Sequence, residues 1–255
     1  MSALFHNAVD SLRVGMRFFL DGTSPSAHKH AILSLFHSIE LFLKEQLFRV
    51  HPILIYRNID KKISDDTLTV GLAEILSRLD NLNLPIPESQ RRVIEGIQRR
   101  RNRIEHHRYD RAEDDRAVLA ESLKFIMFFV ERILGESLDQ HLDSELLKEV
   151  TSIVLDFEDR RGLAQSRLEK WLRGQYQEWD PKVEDSPEDF VGTVECPECD
   201  QDFLVLIPGT VRHCFFCNAK VDAVQCPHCG EVHRRSELCW CGYYGPHEGD
   251  ERDDA

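Results

Sequence analysis

Two groups of residues in this sequence have types and spacings that could do chemistry. The first is Arg101-Asn102-Arg103-Ile104-Glu105-His106-His107, in a stretch with six arginines between Arg91 and Arg103. On a helix, Asn102 and His106 stand four apart, on one face and about one turn from each other. The long side chain of Arg101 can swing toward the same point. A guanidinium fork grips a phosphate, an amide orients it, and an imidazole moves protons near neutral pH. Those groups suffice to cleave RNA without a metal. The ribose 2′-hydroxyl attacks its own phosphodiester, so the protein need only position, deprotonate and stabilise developing charge. The plainer reading of the same residues is a set of polar side chains on a solvated, arginine-rich helix face.

The second group is the cysteines. All eight lie between Cys196 and Cys241, as Cys196-x2-Cys199, Cys214-x2-Cys217, Cys226-x2-Cys229 and Cys239-x-Cys241. Disulfides would require an oxidising compartment, and Met1-Ser2-Ala3-Leu4-Phe5-His6 does not read as an export signal. Close pairs joined by longer loops are what tetrahedral thiolate zinc requires, since each short turn offers two sulfurs to one ion. The economical partition gives Cys196, Cys199, Cys214 and Cys217 to one Zn²⁺ and Cys226, Cys229, Cys239 and Cys241 to a second; an interleaved pairing is the alternative. Four thiolates close each site, which makes the metal structural. His213, His228 and His233 are spare donors that the all-cysteine count does not need. Arg212, Arg234 and Arg235 with Phe215, Phe216 and Trp240 form the basic and aromatic cluster of this region, a candidate surface for RNA.

These groups need elements to hold them. The chain has 255 residues, 42% hydrophobic and 30% charged, enough for a core. Its net charge of −13 is unevenly spread: residues 1–135 carry 20 Lys+Arg against 18 Asp+Glu, and residues 136–255 carry 12 against 27. A phosphate-binding surface therefore belongs in the first part. The pattern predicts helices over about 2–20, 25–50, 68–79, 88–109 and 112–134, with Ser24 and Pro25 starting the second. The second is apolar around most of its circumference, as a central helix of a bundle is. Residues 52–66 read as an irregular connection. The run Phe125 to Val130 exceeds one core-facing stripe and points to a dimer surface or a covering helix. Residues 143–178 continue the helical pattern, with Gly162 expected to divide them. Short strand-like runs then separate the cysteine turns. No apolar run approaches the ~20 residues of a membrane span, so a soluble, cytoplasmic protein is expected.

The surroundings of Arg101-x4-His106 resemble the HEPN superfamily (higher eukaryotes and prokaryotes nucleotide-binding), whose ribonuclease members carry Arg-x4–6-His, often with Asn after the arginine, as Asn102 is here. Ser38-Ile39-Glu40-Leu41-Phe42-Leu43-Lys44 looks like the family's second-helix segment. The resemblance covers about residues 1–135 and implies an up-and-down helical bundle. It also implies metal-independent cleavage leaving a 2′,3′-cyclic phosphate and a 5′-hydroxyl, and a homodimer whose two motifs face one cleft. Arg101, Asn102 and His106 take the catalytic positions. His107 also satisfies the spacing, and Glu40 is a candidate to orient a motif side chain or, equally, a partner for Lys44. Arg100 and Arg103 are read as phosphate contacts or solvent-facing charges. The cysteine region resembles tandem zinc ribbons through Cys196-Pro197 and Cys226-Pro227.

The sequence thus predicts a mainly α protein: a HEPN-like bundle over 1–135, a helical extension over 136–180, an acidic linker over 181–193, a double zinc ribbon with short β-strands over 194–245, and a disordered tail over 246–255. The expected function is RNA cleavage in a toxin–antitoxin or antiviral setting, with two structural Zn²⁺, no catalytic metal, and ribbons that dock a protein partner, an antitoxin or an RNA feature. The rivals are a non-catalytic HEPN-like protein, dimerising or binding nucleotides while its ribbons recruit a partner, and a zinc-ribbon transcription accessory factor.

Overall fold

The computed structural model describes residues 2–22, 24–60, 62–64, 66–106, 115–173, 192–199, 201–206, 212–230, 232–235, 239 and 241, without the side chains of Pro25, His106, Asp115, Leu206 and Arg212. His107, Trp240, most of the 181–193 segment and the 246–255 tail lie outside the described residues. The chain is mainly helical, with a C-terminal region of short antiparallel strands around its cysteines. It divides into two compact units, one of residues 1–111 and 118–155, the other of residues 112–117 and 156–255. The division therefore falls inside a helix. No helix among the described residues is long and apolar enough to cross a membrane.

The first unit is built on an antiparallel hairpin of α1 (Ala3–Asp21) and α2 (Pro25–Val50). Ser2 and Ser24 start the two helices, their Oγ atoms accepting from the Phe5 and Ala27 amides at 3.1 and 3.2 Å. Each thereby satisfies one of the amides that a helix start leaves unpaired. Phe5 meets Phe42 edge to face, with ring centres 5.5 Å apart, and buried Ser38 donates to the Ala8 carbonyl at 2.8 Å. The helices approach closely because Gly15 has no Cβ; one placed there would stand 3.1 Å from both the Ala31 carbonyl and the Leu35 side chain. At Gly22 an added Cβ would meet Ala27 at 2.2 Å, so the tight turn also demands glycine. α2 is buried around most of its girth, with Leu35, Phe42, Leu43 and Leu47 fully enclosed, as a central helix should be.

The connection after α2 is more ordered than the sequence indicates. A 3₁₀ turn covers Pro52–Ile55, Tyr56 pairs with Thr69 in a bridge, and Arg78 donates to the Leu54 and Tyr56 carbonyls at 2.6 and 2.8 Å. α3 (Leu72–Asn81), which supplies Arg78, starts where the Gly71 amide donates to Glu74 Oε2 at 2.9 Å. α4 (Glu88–His106) buries Ile94, Ile97 and Ile104, and Ile104 packs with Ile32 of α2 and Val118 of α5 (Asp115–Phe128). A buried polar network closes the far end: Glu45, 2% exposed, takes the Ser2 hydroxyl and Arg49 Nε at 2.8 Å, and Arg49 also donates to the Leu134 carbonyl at 2.6 Å.

Two sequence expectations change here. Phe125, Ile126, Phe129 and Val130 are buried within the chain itself, so most of the apolar run packs inside the first unit, with Met127 and Phe128 half-buried. A π turn over Phe129–Ile133 follows α5, and Phe125 stacks on Phe129 with ring centres 5.5 Å apart. The extra residue in that turn brings side chains inward that a regular helix would turn out. Gly162 does not divide the next helix: α6 runs unbroken from Ser144 to Leu172. One exposed glycine costs a helix only about 1 kcal/mol, and the apolar stripe on both sides outweighs it.

In the second unit that stripe lies against the cysteine region. Phe157 meets Phe216 at 5.7 Å and Trp171 meets Phe215 at 5.9 Å, ring centre to ring centre. Three antiparallel strand pairs frame the first three cysteine turns: β1 (Gly192–Val194) with β2 (Leu204–Leu206), β3 (Arg212–His213) with β4 (Lys220–Val221), and β5 (Ala223–Gln225) with β6 (Val232–Arg234).

Candidate functional site

On α4 Arg101 stands beside the apolar stripe, four residues after buried Ile97 and three before buried Ile104. Arg101 Nη1 donates to Asn102 Oδ1 at 3.0 Å, which brings together the two residues the sequence singles out. Arg101 Nη2 lies 2.6 Å from Glu105 Oε2, one helical turn on. The guanidinium also lies over the Phe36 ring, 5.5 Å from its centre, a cation–π contact from α2. His106 is the last residue of α4, four positions after Asn102 on the same helix. The Asn102 and Glu105 side chains are exposed and Arg101 is partly so.

Glu40 belongs to a different contact. Its Oε1 pairs with Lys44 Nζ at 2.9 Å, and that Nζ also donates to Thr69 Oγ1 at 3.2 Å. Of the two readings the sequence left open, the structure shows the pairing with Lys44. Arg100 corrects the sequence reading as well. It is 5% exposed, because the position four before buried Ile104 faces inward with it. The involvement of Glu105 was legible in the four-residue spacing from Arg101, and the sequence reading missed it.

The eight cysteines gather into two groups of four, with the sulfurs of each group within 4.8 Å of one another. In the first, Cys196 and Cys217 sulfurs are 3.9 Å apart and those of Cys199 and Cys214 3.7 Å. In the second, Cys226 and Cys241 stand 3.7 Å apart, and Cys239 lies 3.4 Å from both Cys229 and Cys241. Four sulfurs placed tetrahedrally around one ion at a Zn–S distance of about 2.3 Å would be about 3.8 Å apart. The economical partition is thus the observed one, and its geometry suits a thiophilic cation. Neither group includes a histidine.

Local backbone chemistry shapes the turns. Asn218 and Gly230, each directly after the second cysteine of a Cys-x2-Cys pair, have φ of 61° and 77°. Asn and Gly are the residues that tolerate this left-handed conformation. The chain reverses there through Asn218 N–H to the Cys214 carbonyl and Gly230 N–H to the Cys226 carbonyl, both 2.9 Å. The Glu198 amide donates to Cys196 Sγ at 3.4 Å.

Protonation shows what such groups need. Sharing hydrogen bonds with Cys196, Cys214 and Cys217 pushes the Cys199 thiol far up, and bonds from Cys196, Cys199 and Cys214 hold Cys217 far below the ordinary thiol range. In the second group burial opposes the Cys226 thiolate, but the Cys229 and His228 amides and the neighbouring thiols outweigh it and bring it to about 6; burial, with the adjoining thiols, pushes Cys239 up to about 12. Crowded thiols ionise one at the expense of another, whereas a divalent cation among them lets all ionise together.

Among the described residues, the aromatics of the cluster predicted for this region are not on a stacking surface; Trp240 and the Arg212 side chain lie outside them. Phe215 and Phe216 are 1% and 5% exposed, packed on Trp171, Phe157 and Phe203. Arg234 forks onto Glu198, at 2.7 and 2.6 Å, and Arg235 pairs with Asp222 at 3.2 Å. The aromatics are core because a small cysteine-rich unit needs apolar mass, and α6 completes it. No family model, curated protein or solved structure matches the chain.

Proposed function

We propose that this chain is a metal-independent endoribonuclease of the HEPN type, with one structural Zn²⁺ in each cysteine group. The observation that carries the reading is the juncture of Arg101 and Asn102 at 3.0 Å on α4, one turn before His106. Arg101 holds the scissile phosphate and stabilises the charge that builds on it. Asn102 orients that pair. His106 serves proton transfer. The 2′-hydroxyl loses its proton, its oxygen bonds to phosphorus, and the P–O5′ bond breaks as the leaving oxygen gains a proton. The products are a 2′,3′-cyclic phosphate and a 5′-hydroxyl.

One histidine per chain serves two proton transfers less well than two histidines would, which favours a homodimer with both motifs in one cleft. The resemblance to HEPN ribonucleases implies a toxin or antiviral-defence role in the cytoplasm, with the zinc unit docking a partner or an antitoxin. The test is incubation of the purified protein with total RNA in EDTA, comparing wild type with His106→Ala. Cleavage with cyclic-phosphate ends by the wild type alone supports the reading; equal cleavage by both, or none by either, defeats it.

One observation favours a second reading. The Glu105 carboxylate stands at the Arg101 fork, 2.6 Å away. In a non-catalytic protein that ion pair is a permanent feature of the helix surface, and the zinc unit alone recruits the partner.

A further inference from the structure

A guanidinium grips a phosphate best through two parallel N–H bonds. In Arg101 both terminal nitrogens are already engaged by the protein. Nη1 donates to Asn102 Oδ1 at 3.0 Å and Nη2 pairs with Glu105 Oε2 at 2.6 Å. The face of the guanidinium rests over Phe36, itself only 6% exposed. Phe36 therefore fixes where the cation sits, and the two side chains fix where its edge points. Asn102 is neutral and can remain beside a bound phosphate, offering its amide N–H₂ in place of its oxygen. Glu105 cannot. A carboxylate and a phosphate are like charges competing for one set of donors.

We infer that Glu105 gates the Arg101 site: it holds the guanidinium in place without substrate and must give way when an RNA phosphate arrives. The inference rests on the phosphate-binding reading of Arg101 proposed above. An exposed ion pair within one helix is weak enough to open readily, and an arginine placed before its glutamate is the less favoured order at this spacing. Glu105 is thus a positioning and selectivity residue, and it makes no bond to the reacting atoms. It discriminates by charge. A ligand that brings one weak anionic group fails to displace it, whereas a polyanionic strand with further phosphates along the α4 arginines succeeds.

The experiment uses the full chain and a single-stranded RNA oligonucleotide carrying 2′-O-methyl groups throughout, which cannot be cleaved. Binding is followed by fluorescence anisotropy at fixed salt for wild type, Glu105→Gln, Arg101→Ala and the double variant, with helicity checked by circular dichroism. Glu105→Gln should tighten binding by about two- to fivefold, and on unmodified RNA KM should fall by a similar factor with kcat little changed. In the Arg101→Ala background the same substitution should change nothing, because the competition it relieves is gone. Glu105→Gln binding equal to or weaker than wild type, while Arg101→Ala loses affinity, overturns the gate and leaves the phosphate site standing. Equal tightening in both backgrounds also overturns it, as a general charge effect. Wild-type affinity in Arg101→Ala removes the phosphate site itself, and the gate with it.

Discussion

Replacing Trp171 by alanine tests how the cysteine unit is held together. Trp171 lies near the end of α6, 4% exposed, with its ring 5.9 Å from that of Phe215. Phe215 directly follows Cys214, and its amide donates to the Phe203 carbonyl at 3.0 Å, so the indole buttresses the turn that supplies two sulfurs of the first group. Truncating a buried tryptophan costs about 3–5 kcal/mol. A four-thiolate site exists only in the folded unit, so that loss appears as lost metal affinity. At about 1.4 kcal/mol per tenfold, the first site should weaken by about 10²–10⁴-fold. The assay is zinc release to a chromogenic chelator, alongside thermal denaturation. In wild type the second group should release first, because Cys229 and Cys241 are exposed while Cys196, Cys199 and Cys214 are buried. In Trp171→Ala the two phases should merge, while the transition of the α1–α2 hairpin stays in place. Wild-type affinity at the first site, identified with Cys217→Ser as the marker, would refute the reasoning.

Gly162→Ala should stabilise the protein by about 0.5–1 kcal/mol, since the position is inside an unbroken helix with nothing within 4 Å of an added Cβ; a loss in urea denaturation would contradict the continuous α6. Gly15→Val should cost about 1–3 kcal/mol by wedging α1 from α2, and an unchanged melting temperature would show that the contact yields freely. The Gly71 amide, then Arg57, holds the Glu74 carboxyl below its ordinary 4.5. Its contribution is therefore complete above that value and is lost as pH falls through the lower folded one. Glu74→Gln should flatten that part of the acid-denaturation profile, and an unaltered profile would remove Glu74 as the cap of α3. In RNA cleavage, His106→Ala should cost about 10²–10⁴-fold and Arg101→Ala about 10²–10³-fold, with Asn102→Ala milder and the Arg101/His106 double variant far from additive. His107→Ala should be nearly silent; if it abolishes cleavage and His106→Ala does not, the proton carrier is one residue on.

Periodicity carried the helices well. The wide apolar girth of α2 and the Ser24-Pro25 start both reappear in the structure, because they depend on residues close in sequence. The cysteine partition was equally legible, since two turns of fixed spacing leave few ways to surround an ion. What sequence did not reveal depends on partners far along the chain. Phe215 and Phe216 read as a surface because part of what buries them is distant in sequence: Phe203 is 13 residues before Phe216, but Trp171 and Phe157 lie over 40 residues earlier. The run at Phe125 to Val130 read as excess for the same reason, the π turn that accommodates it having no sequence signature. At the arginine motif the opposite happened. Glu105 stands four residues after Arg101, a spacing as visible in the sequence as that of Asn102 and His106.

The charge distribution bears on where the proposed RNA contacts would lie. Residues 136–255 carry 15 more acidic than basic side chains. Each Zn²⁺ held by four thiolates adds two further negative charges, so filling both sites makes that part still less hospitable to phosphate. Two of its arginines are also committed, Arg234 to Glu198 and Arg235 to Asp222. On α4 the commitment is of another kind. Arg91 pairs with Asp80 at 2.7 Å and Arg101 with Glu105, both exposed enough for solvent and salt to weaken them. A polyanion that displaces these carboxylates gains one cation for each pair it opens, two in all, so affinity should rise with strand length until α4 is spanned and then level off. The same argument makes added salt act twice, weakening the internal pairs and the RNA contacts alike, and the net salt dependence of binding should be shallower than the number of arginines alone would give.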